Sequence, residues 1–128
     1  MDLNKVFLIG RACQKPELKE FNTGSKVVKF SLATNFSWSN KSTGEKKQLT
    51  EYHNIVIWGQ LATIAAKYIN KGSKIHVDGK IQTQKWEQDG VMRNRAEIVV
   101  DSFILLDSKN ANTNKESADE APQSDPVF

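Results

Sequence analysis

Four aromatic residues in this chain stand where packing alone does not call for them. Trp38, Tyr52, Trp58 and Trp86 lie beside lysines or at strand positions that alternate with apolar ones. A flat π-face next to positive charge suits a nucleic acid, because every base can stack on the ring and every phosphate can meet a cation. Trp38 sits in NFSWSNKSTGEKKQL, a segment with Lys41, Lys46 and Lys47 around Gly44, too polar to be buried as a whole. Trp86 follows Lys80 and Lys85. Each aromatic also has a packing explanation: Trp38 as the last core residue of its strand, and Trp86 folded back over a lysine stem. Metal-assisted hydrolysis would need clustered carboxylates, but no motif groups Asp78, Glu87, Asp89 and Asp101. The expectation is a binding protein, not an enzyme, with no metal and no cofactor.

The chain has 128 residues, enough for one hydrophobic core and too few for two. Its apolar runs, such as 6–9 and 98–100, fall far short of the roughly 20 residues that cross a bilayer, and the N-terminus lacks a basic-then-apolar signal pattern. A soluble, unexported protein with no membrane partner is expected. The single cysteine, Cys13, has no second thiol to pair with, which fits a reducing cytoplasmic compartment. The net charge of +3 hides an asymmetry: 16 Lys and Arg face 10 Asp and Glu through residue 106, whereas 2 face 5 from Asp107 onward. A basic body favours a polyanionic partner through counterion release.

The elements that must hold these residues are mostly strands. Turn signals at Asn22-Thr23-Gly24, Ser42-Thr43-Gly44 and Asp89-Gly90 separate segments rich in Val, Ile, Phe and Trp. Strands are predicted near residues 3–10, 26–37, 48–58, 73–85 and 93–106. Leu61, Ile64, Ala65 and Tyr68 follow helical spacing, with Gly72 placed as a C-terminal cap. An all-β chain of five strands with one helix between the third and fourth matches the Greek-key barrel called the OB-fold. Gly79, inside a strand pattern, marks a bulge or barrel corner.

Alternation assigns the faces. Val28, Phe30, Leu32 and Phe36 point inward in the second strand, and Ile75, Val77 and Ile81 in the fourth, leaving Lys80, Gln82, Gln84 and Trp86 outward. In TEYHNIVIWG, His53, Ile55 and Ile57 share the inner side, while Tyr52, Val56 and Trp58 flank Asn54 on the other. The middle strands and long hairpins of an OB barrel are its oligonucleotide-binding elements. The only helix, LATIAAKY, lacks the Arg, Asn or Gln of a duplex reader. Single strands fit better.

The run NKVFLIGRACQKPELKEFNTGSKVVKFSLATN, followed by WSNKSTGE, TEYHNIVIWGQLA and YINKGSKIHVDGKIQTQKW, resembles the bacterial single-stranded DNA-binding protein family from Asn4 to about Leu105. The resemblance implies sequence-independent binding of single-stranded DNA, a homotetramer wrapped by DNA, and roles in replication, recombination and repair. It puts stacking at Trp38, Tyr52, Trp58 and Trp86, and phosphate contacts at Lys5, Lys41, Lys71 and Lys85, to which Lys46, Lys47 and Arg93 are added as basic residues of the two hairpins. It places His53 near subunit contacts. The family often has basic residues where this chain has Asn54, Gln60, Gln82 and Gln84, which implies weaker or less salt-sensitive binding.

Residues 1–106 are thus expected to form the binding domain, and 107–128 a disordered acidic tail, since SKNANTNKESADEAPQSDP has no Ile, Leu, Val or aromatic residue. Family members commonly end in an acidic run and Ile-Pro-Phe, which docks on replication and repair proteins. Here Asp125, Pro126, Val127 and Phe128 close the chain, with proline before Val127 instead of directly before Phe128. A solubilising tail is the alternative for that segment. For the whole chain the alternatives are a phage, plasmid or transformation-associated accessory, an RNA-binding OB module, and an interaction module that acts through its tail.

Overall fold

Alternating apolar residues at Val28, Phe30 and Leu32 face Ile55 and Ile57 across a strand pair, and all five are buried. Ile75 and Val77 from a third strand and Ile98 and Val100 from a fourth complete the interior. Each such side chain, removed from water, contributes about 1.5–3 kcal/mol. The computed structural model describes residues 1–107 and arranges them as β1 (Val6–Ala12), β2 (Lys19–Glu20), β3 (Lys26–Ser39), β4 (Lys46–Trp58), α1 (Gln60–Tyr68), β5 (Lys74–Gln88) and β6 (Val91–Leu105). The tail expected beyond Asp107, with its tip at Asp125, Pro126, Val127 and Phe128, lies outside the described residues.

The sheet runs β1-β5-β6-β4-β3-β2, and a further pairing of β1 with β3 closes it into a barrel of five strands. All pairs are antiparallel except β4 with β6, where Ile55 meets Ile98 and Val56 meets Val99. This is the OB-fold. The helix follows the third barrel strand as expected; it stands between β4 and β5 only because the two-residue β2 adds to the count.

Closure requires β1 to pair with β5 through Val6–Arg11 and then cross to β3 at Arg11 and Ala12. Gly10 and Gly79 make this possible by close approach: a Cβ on Gly10 would collide with the Ala33 carbonyl, and one on Gly79 with the Val99 carbonyl. The β5–β6 register shifts between Asp78 and Gly79, the bulge that the sequence marks. Asn4 prolongs the β1 edge, its side-chain amide donating to Ile81 O (2.9 Å) and accepting from Ile81 N (3.0 Å).

Three expectations are corrected. Phe36 and Ile81 are exposed, because β3 and β5 run past the barrel wall and the inner side of each strand has no core there. The helix buries Ala62 and Ala65, with Ile69 just beyond its end, whereas Ile64 and Tyr68 are exposed. The sequence carries two overlapping helical stripes, and the one with small alanines allows close seating on the barrel. Gly72 does not cap the helix, whose C-cap is the extended Ile69. It supplies the positive φ of 90° in a turn where Ser73 N donates to Asn70 O. The helix end is satisfied instead by Lys15, whose Nζ donates to Ala66 O at 2.9 Å and Ile69 O at 3.5 Å.

Gly79→Ala should destabilise the fold by about 1–3 kcal/mol, because the obstructing atom is backbone and must shift. Urea unfolding at fixed protein concentration would read this as a lower midpoint. An unchanged midpoint would contradict the close approach.

Candidate nucleic-acid interface

The strands that leave the barrel form two long ribbons. β3 and β4 pair without a break from Val27–Trp58 to Ser39–Lys46. Their tip is tied by Asn40 N to Glu45 O at 2.7 Å and Gly44 N to Asn40 O at 2.7 Å. The β5–β6 ribbon ends in the two-residue turn Asp89-Gly90, both at positive φ, which matches the twist of the strands it joins.

Register shows which aromatics share a face. Tyr52, Asn54, Val56 and Trp58 alternate along the outer side of β4, opposite Ala33, Ser31, Lys29 and Val27 of β3. The parallel seam aligns Val56 with Val99, and from there the outer side of β6 continues through Glu97, Arg95 and Arg93. On β5 the same side carries Lys80, Gln82, Gln84 and Trp86. Tyr52 (69% exposed), Trp58 (47%) and Trp86 (39%) therefore lie on one continuous surface of the barrel and its ribbons. Trp38 does not join them. It belongs to the opposite side of the β3–β4 arm, where its ring lies 5.7 Å from that of Phe36.

The basic residues divide in the same way. Arg93 faces Trp86 across the ribbon, whereas Lys85, paired with Asn94, is on its reverse side. Lys46 and Lys47 pair with Ser39 and Trp38, and with Trp38 they line a cleft at the base of the arm tip, in whose turn Lys41 stands. Lys71 occupies the turn after α1. Lys5 is engaged by two carboxylates, Asp78 Oδ1 at 3.4 Å and Asp101 Oδ2 at 3.7 Å. The Ser102 hydroxyl, donating to Asp78 at 2.7 Å, is the main cause that holds this carboxyl below its usual pKa, with Lys5 assisting. Asp78 thus stays charged at neutral pH and keeps Lys5 partly neutralised. His53 lies just beyond the core, its Nε2 2.9 Å from Thr34 Oγ1.

Further residues stand beside these aromatics, and the sequence reading passes over their roles. Phe21 stacks on Trp58 with ring centroids 6.2 Å apart, and together with Lys19, Lys29 and Val27 they line a cleft of about 320 Å³. Arg95 approaches Trp86, and Phe36 backs Trp38. The signals were available: Phe21 immediately precedes the Asn22-Thr23-Gly24 turn, and a two-residue turn at Asp89-Gly90 by itself sets Trp86 against Arg93 and puts Arg95 on the same side. Among the described residues no three His, Cys, Asp or Glu side chains are grouped to hold a metal ion. No described helix is long and apolar enough to cross a membrane.

Comparison with known proteins places this geometry in context. The sequence profile of the "Single-strand binding protein family" matches residues 3–106. The single-stranded DNA-binding protein of Rickettsia conorii is 38% identical over 122 residues, covering 91% of this chain and 80% of that one. The protein of the same name from Rickettsia prowazekii is 39% identical over the same length. Among solved structures, a Plasmodium falciparum SSB in complex with single-stranded DNA superposes with a TM-score of 0.75 at 38% identity, covering 84% of this chain and 97% of that one. A deletion variant of the single-stranded DNA binding protein from Thermus aquaticus gives 0.71 at 25% identity, over 84% of this chain and 52% of that one.

Phe21→Ala should uncover one side of the Trp58 ring at a cost of about 0.5–1.5 kcal/mol in stability. In a Trp38→Phe/Trp86→Phe background, Trp58 emission should move to longer wavelength. Emission at the unsubstituted wavelength would mean that Phe21 does not cover the indole.

Proposed function

The chain belongs to the single-strand binding protein family, and on that basis we propose that it coats single-stranded DNA without regard to sequence, by stacking bases on aromatics and pairing phosphates with basic side chains. The observation that carries this reading is the shared face of Tyr52, Trp58 and Trp86, interspersed with Lys29, Arg93 and Arg95. Stacking contributes about 1–3 kcal/mol per engaged base and is indifferent to base identity. The polar side chains on the face favour that indifference: Asn54 already donates to Ala96 O at 3.2 Å, so it is not poised as a dedicated base reader. Duplex DNA offers no free base face to stack, and among the described residues no helix is suited to its major groove.

Binding then changes no covalent bond, and the protein's role in replication, recombination and repair is to protect and organise exposed strands in the cytoplasm, where the nucleoid lies. The binding domain is residues 1–106. Trp38, with Phe36 behind it and Lys41, Lys46 and Lys47 around it, extends the path of the strand along the β3–β4 arm. Lys71 and Lys85 supply contacts where the strand leaves the main face, and Lys5 contributes less because Asp78 and Asp101 compete for it.

A homotetramer is part of this proposal. Its support is a second surface, opposite in alternation to the core side of β1, where Phe7 and Ile9 are exposed beside His76 of β5 and Ile104 of β6. His53 lies near a subunit contact in the same proposal. The acidic, apolar-tipped end at Asp125, Pro126, Val127 and Phe128 would dock replication and repair proteins.

Titration with poly(dT) should quench tryptophan fluorescence, with a salt slope of roughly −0.7 per phosphate neutralised. Tyr52→Ala and Trp86→Ala should each weaken binding by about 1–3 kcal/mol. Equal affinity for duplex DNA, or tighter binding of a matched RNA strand, would overturn the reading. Truncation after Asp107 should leave oligo(dT) binding intact, and light scattering of that shortened chain should still give the mass of four copies. A monomer mass would remove the tetramer from the proposal without touching DNA binding.

A further inference from the structure

Trp86 projects from a ribbon with no core behind it: every residue from Lys80 to Gln88 is exposed. A ring in that position has no packing of its own to fix it, and ordering a free side chain on binding costs affinity. One neighbour stands out. The guanidinium carbon of Arg95 lies 5.7 Å from the centroid of a Trp86 ring. Register explains the reach, since Arg95 faces Gln84 and Trp86 faces Arg93, so the two meet diagonally across the β5–β6 pair.

Arg95 is itself held. Its Nη2 lies 3.1 Å from Oε2 of Glu97, two residues along the same side of β6. Glu97 is 3% exposed and is the buried charged residue among those described. A carboxylate is retained in such surroundings only when it is paired. Its neighbours on the outer barrel face, Asn54, Gln14 and Lys29, line the same recess. The barrel wall thus fixes Glu97, Glu97 fixes Arg95, and Arg95 reaches out along the exposed ribbon to the indole.

We propose that Glu97 and Arg95 are a positioning pair for Trp86: the anchored guanidinium covers one face of the indole and leaves the other presented to an incoming base. This deepens the single-stranded DNA reading and rests on it. The competing role for Arg95 is a direct phosphate contact, with Glu97 merely neutralising it in the free protein. The two roles differ in charge dependence. Replacing both residues by neutral amides, R95Q/E97Q, leaves the net charge of the site unchanged and keeps a hydrogen-bonding pair while removing the cation from the ring.

The test uses the full chain in a Trp38→Phe/Trp58→Phe background, where Trp86 is the sole tryptophan. Without DNA, acrylamide should quench Trp86 more efficiently in R95Q/E97Q than in the parent. With oligo(dT), the exchange should weaken binding roughly two- to fivefold, the range of a cation–π contact at an exposed site, with the salt slope unchanged. Placed on Trp86→Ala in the otherwise native chain, the same exchange should have no further effect on affinity. R95K keeps the charge and the pairing with Glu97 but loses the flat guanidinium. It should also expose Trp86, and it decides the matter if R95Q/E97Q melts at a lower temperature. Unchanged quenching in both variants, an equal loss in the Trp86→Ala background, or a salt slope reduced by about 0.7 would overturn the positioning role. If the parent bound no oligo(dT), the DNA reading would fail, while acrylamide quenching of the free protein would still decide whether Arg95 shields the ring.

Discussion

Barrel closure depends on two backbone approaches that leave no room for a side chain. At Gly10 and Gly79 the β1 and β5 backbones meet the carbonyls of Ala33 and Val99, and this lets β1 pair with β5 on one side and β3 on the other. Once the sheet is closed, β4 must lie beside β6, and the parallel step at Val56 and Val99 joins the two long hairpins into one surface. Residues separated by nearly thirty positions, Trp58 and Trp86, thereby come to share a face. The proposed binding surface is a consequence of closure, not of any local motif.

Much of this was legible in the sequence because it is encoded at short range. The period of two in Val28, Phe30 and Leu32, the turn at Asp89-Gly90 and the bulge at Gly79 each follow from the chemistry of a few neighbouring residues. The outward placement of Tyr52 and Trp58 followed from the same alternation. What alternation could not supply was where the barrel ends. Phe36 and Ile81 obey the inward pattern but lie past the wall, so the pattern points them at solvent. The helix was misread for a related reason: two stripes satisfy helical spacing, and only the space above the barrel selects Ala62 and Ala65 over Ile64.

Electrostatics divide the cations more sharply than the net charge of +3 suggests. Lys15 donates to the carbonyls at the helix C-terminus, and Lys5 is shared between Asp78 and Asp101. Arg93 and Lys29 remain on the aromatic face, where Arg95 is paired with Glu97. Their placement between rings, more than their number, is what suits a strand in which base and phosphate alternate. Phe21 against Trp58 and Arg95 against Trp86 share a feature: two of the three aromatics on the main face are backed by a second group. The backing limits the ordering that binding would otherwise require.

The central claim, that single-stranded DNA lies on the outer face shared by β4, β5 and β6, is tested most directly by fluorine NMR of protein labelled with 5-fluorotryptophan. Three resonances, from Trp38, Trp58 and Trp86, can be followed while oligo(dT) is added. Those of Trp58 and Trp86 should shift at the same stoichiometry, while the imidazole signals of His76, at the β1-paired end of β5, stay in place. Movement of His76 with Trp58 and Trp86 unchanged would put the DNA on the β1 end of β5 and contradict the account.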